Sequence, residues 1–342
     1  NLFYSRRIGR NPHGSANLAA GEYADTPVNT TILGAAKFSG KTKDGWSIGI
    51  LESLTSNEYA TIREVNGNER EEIVEPLTNY FVARAQKDFN NRNSYIGGIF
   101  TATNRNLNGN FNYLHKAAYT GGIDFNHNWK NRNYFLEGNV VLSHVQGSKE
   151  AITATQQSLT HLFQRVDASH VSVDPNRTSL TGTGGRIEAG KNGGGNWRYN
   201  GGFVWRSPEL ELNDVGFLRQ TDEMIQFANL RYLWQKPTDI YREARVRLAQ
   251  FSSYDFDGNY NRIQYELQGN INWKNNWWTE MSIGHKPRIF INTYLRGGPR
   301  WRYSEENFFV LFFGSDQSKK FSFTLGHVNT AAKQKNFSFR RY

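Results

Sequence analysis

From Ile263 to Trp273 every second residue is apolar or glycine: Ile263, Tyr265, Leu267, Gly269, Ile271 and Trp273. The residues between and around them, Arg262, Gln264, Glu266, Gln268, Asn270, Asn272 and Lys274, are all polar. A period of two is a β-strand with one apolar and one wet face. Strands of globular domains run to about 5–6 residues, whereas a tilted strand needs about 9–11 to cross a bilayer. The stretch 261–274 therefore has the length and the two faces of a membrane strand.

The unit repeats. Strands are predicted at 31–40, 46–53, 79–87, 94–103, 119–129, 134–142, 186–191 and 197–207. They continue at 226–235, 244–251, 261–274, 277–285, 288–296, 307–313, 321–328 and 336–342, about sixteen in all. Within 119–129, Tyr119, Ile123, Phe125 and Trp129 oppose Asp124, Asn126 and Asn128. Asn, Gly and Asp fill the tight turns, as hairpins require. No stretch shows helical periodicity of useful length. Residues 1–29 show no strand pattern and read as a lead-in, either a linker or a segment lying in a lumen. Residues 30–342 read as one β-domain. In the first nine strands short turns alternate with long connections at about 54–78, 104–118, 146–185 and 208–225. Short turns at one rim and long loops at the other is the outer-membrane barrel pattern. The short turns follow the odd-numbered strands. That leaves three readings: a missed strand before Thr31, a lead-in threaded up the lumen, or long loops on the periplasmic side.

Composition fits this pattern. Only 37% of the 342 residues are hydrophobic, 14% are aromatic, and the mean hydropathy is −0.69. A barrel tolerates that, because half of each strand meets water, and its aromatic girdles use the surplus rings. The absence of cysteine excludes disulfides, thiolate metal sites and cysteine nucleophiles. The longest apolar run, 308–313, is far too short for a spanning helix. The chain starts at Asn1 with no signal peptide, which reads as a processed or excised piece whose export signal lies elsewhere. The net charge of +10 is scattered over turns and polar strand faces, so nucleic acid is not an expected partner.

Several longer stretches carry a resemblance: FYSRRIGR (3–10), GAAKFSGKTKDGWSIGIL (34–51) and HLFQRVDASHVSVDPNRTSLTGTGGRIEAGK (161–191). NWRYNGGFVWRSPELELNDVGFLRQTDEM (196–224) and LRGGPRWR (295–302) extend it. Together they resemble the uncharacterised β-barrel domain of Bacteroidota outer-membrane proteins, which usually follows a carbohydrate-binding module similar to family 9. The resemblance implies the Gram-negative outer membrane and no particular activity. The sugar-binding module is absent from these residues, and family members look longer on the C-terminal side.

Candidate chemistry is sparse. Asp255, Asp257, Asn259 and Asn261 alternate around Gly258, but they lack the placed Glu and flanking helices of a calcium loop and read as a hairpin turn. His161, His170, Asp167 and Asp174 share a long loop without a standard metal spacing. Ser143 and His144 are adjacent in one strand and point to opposite faces. The glycines of 182–196 lack the following helix of a phosphate loop. Arg6, Arg7 and Arg10 could attract an anion, and Asn213 and Asp214 read as turn-holding residues. With the apolar faces toward lipid, Arg198, Arg206, Arg245, Arg247, Arg262 and Glu266 point inward, where they would either select solutes or stiffen the wall as a salt-bridged network.

The expectation is an all-β, antiparallel transmembrane β-barrel of about 16 or more strands, or an incomplete piece of a larger barrel. Its expected function is a pore or uptake channel, with glycan-derived solutes as candidate cargo, selecting by size and charge. The alternatives are a plugged barrel that scaffolds an outer-membrane complex or anchors a sugar-binding domain, and a soluble β-rich glycan binder. No enzyme activity, cofactor or metal is expected. The expected partners are membrane lipid and other outer-membrane proteins or a sugar-binding module outside this chain.

Overall fold

The structure, a computed structural model, describes residues 2–334 and 337–341. It holds twenty strands and one α-helix. Three strands, β1 (Tyr23–Asp25), β4 (Glu58–Arg63) and β5 (Glu69–Glu75), make a small sheet in the order β1-β4-β5. The others form one large antiparallel sheet, beginning with β2 (Ile32–Lys41), β3 (Trp46–Thr55), β6 (Thr78–Phe89), β7 (Ser94–Arg105), β8 (His115–Trp129) and β9 (Tyr134–Gly147). It continues through β10 (Ser179–Lys191), β11 (Trp197–Arg206), β12 (Glu223–Trp234), β13 (Tyr241–Tyr254), β14 (Tyr260–Trp273) and β15 (Trp278–Lys286). A short hairpin, β16 (Ile289–Ile291) with β17 (Trp301–Tyr303), touches the start of β14. The run ends with β18 (Glu305–Gly314), β19 (Thr324–Gln334) and β20 (Phe337–Arg341). Helix α1 (Lys149–Gln157) lies between β9 and β10.

Alternation decides the faces. In β9, Val141, Ser143 and Val145 are buried while Val140 and Leu142 are more than half exposed. The register carries this split from strand to strand. We call the face of Val141 inner, because the N-terminal segment, α1 and the long loops pack on it. The bare outer face carries a transverse row, Tyr199, Leu230, Leu248, Leu267, Ile283 and Phe309, opposite one another across β11 to β15 and β18. Near the short turns the outer face carries Trp46, Trp129, Trp197, Trp234 and Trp273.

Some expectations change. The 54–78 connection is not a plain loop: it contains β4 and β5, and β1 arises inside the stretch read as strandless. These strands are short, and β5 (EREEIVE) is charged, so they show little alternation. Helix α1 was not expected. Ser148 caps its N-terminus by accepting from the Ala151 N–H at 3.0 Å, and burial of Ala151 and Ile152 stabilises a nine-residue helix too short for clear periodicity. The 288–296 strand shrinks to β16, with β17 as its unforeseen partner. The strand read at 321–328 begins at Thr324, after a loop. Of the 336–342 strand, Asn336 and Tyr342 lie outside the described residues. Among the described residues no strand of the large sheet precedes Ile32, so a missed strand does not explain the turn alternation. Among them, too, no helix is long and apolar enough to cross a membrane.

Candidate functional site

Two regions of the inner face concentrate charge. The first lies at the long-loop rim, where three segments of the chain cover the sheet. Leu2 packs with Val141, Leu210, Leu212 and Leu218. The Tyr4 N–H donates to the Val215 carbonyl at 2.8 Å, and Arg7 donates to the Gly216 carbonyl at 3.1 Å and to Asn213 Oδ1 at 3.4 Å. Arg7 thus fastens the lead-in to the 207–222 loop. From α1, Ile152 joins Ala118, Val145 and Leu180 in a second apolar cluster.

The closest approach is at Gly182 of β10. A Cβ there would stand 2.1 Å from the Leu210 nitrogen, so only glycine lets the loop backbone lie on the strand. Gly182→Leu is therefore expected to lift the 207–222 loop while the outer strands stay paired. Faster proteolysis within 207–222 at unchanged strand content by circular dichroism would show it; an unchanged cleavage rate would contradict it.

A buried ionic network ties the loop to the sheet. Asp214 accepts from Arg105 at 2.6 Å and faces His115 Nδ1 at 2.8 Å, while His115 Nε2 meets Thr155 Oγ1 of α1 at 2.7 Å. The Arg105 and Asp214 side chains are 2% and 9% exposed. Burial alone would raise the Asp214 carboxyl, but His115 and Arg105 outweigh it and hold it well below the usual carboxylate range. Next to it His161 donates from Nε2 to the Leu210 carbonyl at 3.1 Å, and Nδ1 lies 3.1 Å from Ser158 Oγ. Burial pushes His161 down to about 4, so it is neutral at pH 7, and burial together with Asp214 raises Glu211.

His161 carries a pH prediction. As the pH falls past about 6.5 the unfolded chain takes up a proton that the folded chain refuses until about 4. Stability is therefore whole above that window and falls within it, by up to about 3 kcal/mol. Thermal unfolding between pH 7 and 4 should show this slope in the parent and a flatter one in His161→Gln.

The other loop candidates do not converge on a metal. His170 Nε2 pairs with Asp222 at 2.8 Å, Asp167 accepts from Arg300 at 3.2 Å, and Asp174 accepts from the Asn176 N–H. Among the described residues no His, Asp and Glu cluster could hold a metal ion. Arg165 lies instead within 3.6–3.8 Å of Asp222, Asp255 and Asp167, tying three loops together. Residues 255–259 form the turn, with Asp255 Oδ1 accepting from the Asn259 N–H at 2.8 Å around Gly258 at φ 78°, and Asn261 already lies in β14. Ser143 accepts from the Glu211 N–H and His144 pairs with Thr181, on opposite faces.

The second region is the uncovered part of the inner face, on β10 to β14. All six inward candidates lie on it by register. Arg206 pairs with Glu223, Arg247 stands 3.6 Å from Glu266, and Arg245 donates to Asn270 at 3.0 Å. Arg262 stacks on Phe251 and Arg198 donates to the carbonyls of Gly195 and Trp197. A recess of about 420 Å³ opens here between Arg186, Asn200, Phe227, Arg247, Phe251 and Arg262. Sequence reading overlooked Arg231, whose place opposite both Arg198 and Arg247 is visible only once three strands are in register. It also missed Arg105 and His115, which flank the turn between β7 and β8 and acquire meaning only when Asp214 arrives from about a hundred residues away.

Fold and site together define a class: a large all-β protein whose antiparallel sheet is apolar on its bare face, and charged and partly covered by its own chain on the other. Within that class, the chain belongs to the family described as Domain of unknown function (DUF5916), whose model matches residues 1–341. No curated protein matches it.

Proposed function

We propose that the protein is an outer-membrane β-barrel, plugged at its long-loop mouth by its own chain, that serves as a closed anchor or scaffold at rest. Closure is supported by the strand order, in which β19 and β20 neighbour β2 and β3. Membrane placement is supported by the transverse apolar row of the outer face and by the five tryptophans near the short turns, the distribution of a lipid-facing band with an aromatic girdle. A monomeric water-soluble protein rarely bares so continuous an apolar surface.

The observation that carries the plugged reading is the seating of the 207–222 loop backbone on Gly182, above the Arg105–Asp214–His115 network. A side chain that merely drapes into a lumen would not need a glycine floor or a desolvated ion pair. The uptake channel expected from the sequence is the second reading. The uncovered, arginine-lined part of the inner face favours it, and it requires the plug to move. The test is current through planar bilayers. The parent is expected to insert silently and Gly182→Leu to give open steps; open steps from the parent would overturn the plugged state. Solubility without detergent, together with gel mobility unchanged by heating, would overturn the barrel itself.

A further inference from the structure

Across β11, β12 and β13, Arg198, Arg231 and Arg247 stand directly opposite one another on the inner face, and Arg245 follows two residues from Arg247. Directly opposed residues of neighbouring antiparallel strands hold their Cβ atoms about 5 Å apart, and like charges so placed repel. Several other cations of this face are answered by carboxylates, although Arg262 and Lys37 are not. Arg84 makes two 2.8 Å bonds to Asp124, Lys41 meets Asp88 at 3.2 Å, Arg186 pairs with Glu188, and Lys286 pairs with Glu306. In the row only Arg247 has a carboxylate near, at 3.6 Å, and Arg231 makes no hydrogen bond or ion pair among the described residues. The sheet thus carries four guanidinium groups with one carboxylate, Glu266, near them, and Arg247 and Glu266 border a polar recess of about 420 Å³. A guanidinium fork is shaped for carboxylate and phosphate oxygens.

We propose that Arg198, Arg231, Arg245 and Arg247 form a binding site for an oligoanion, with carboxylate or phosphate groups spaced about 5 Å apart to match the strand separation. The anion takes the place of the missing carboxylates and converts a repulsive row into a neutral one. The site rests on the barrel reading only in being reached from the short-turn mouth. It lies at the opposite end of the inner face from the Gly182 floor, so it stands whether or not the plug conducts.

The test is calorimetric titration of the detergent-purified chain, with tripolyphosphate as the phosphate probe and trigalacturonate as the carboxylate probe. Monophosphate and sodium chloride at equal ionic strength serve as controls. Saturable binding of one probe, with Arg231→Met weakening it about tenfold or more, is expected. The probe that binds identifies the anion chemistry. Arg231→Met should also unfold at the same or a higher temperature than the parent without ligand, and at a lower one with it, a crossing that a purely structural arginine would not produce. If Arg231→Met does not fold, Arg198→Gln takes its place with the same expected loss. Equal binding by parent and variant, or stabilisation no greater than sodium chloride gives, would overturn the site. Bilayer silence or current bears on the plug alone, so the two readings fail separately.

Discussion

Asp214→Ala is expected to destabilise the protein by about 3–5 kcal/mol, because it leaves Arg105 and His115 buried without their counter-charge. The cost comes from stranding charge and not from losing a contact. Arg105 is almost wholly enclosed and would keep a single hydrogen bond, to the His115 carbonyl at 2.9 Å. Asp214→Asn, which preserves shape and one acceptor, should fall between parent and alanine. Because the partners hold the Asp214 carboxyl low, its contribution is whole above the ordinary carboxylate range and is lost only as the pH falls through that depressed value. At neutral pH the 207–222 loop is therefore fastened to the sheet; acid weakens that fastening first through His161 and then through Asp214. Urea unfolding of the three proteins at pH 7 gives the measurement. A loss under about 1 kcal/mol would mean that water reaches the network.

Leu267→Arg is expected to cost about 2–4 kcal/mol and to impair membrane insertion, the penalty for a cation near the midplane of a lipid-facing strand. Leu267 is 44% exposed and sits mid-row, opposite Leu248 on one side and Ile283 on the other. An arginine there has no rim close enough to reach by extending its side chain. Leu267→Phe keeps the apolar character and should insert like the parent. The readout is the fraction resistant to unfolding in gel mobility after reconstitution into vesicles. If Leu267→Arg inserts as well as the parent, the outer face does not meet lipid.

The long strands were legible because their two faces meet different surroundings, so alternation is written into residues such as Ile263 to Trp273 with little interruption. The same logic put Arg198, Arg206, Arg245, Arg247, Arg262 and Glu266 on one face. Where a segment is held by contacts to distant parts of the chain, no local period records it. Helix α1 forms because Ile152 reaches Val145 and Leu180, and β4 and β5 form because each completes the other. The Asp214 network is the extreme case. Asp214 looked like a turn residue among polar neighbours, and its partners come from the ends of β7 and β8.

Arg105 closes β7 and His115 opens β8, two strands whose pairing runs from Ser94↔His127 to Asn104↔Ala117, so Arg105 faces inward in this alignment. A slip of one residue would turn Arg105 toward the outer face and leave the arriving Asp214 without either partner. The network is therefore complete only over correctly aligned strands: the ionic fastening of the 207–222 loop is conditional on the register of the sheet beneath it.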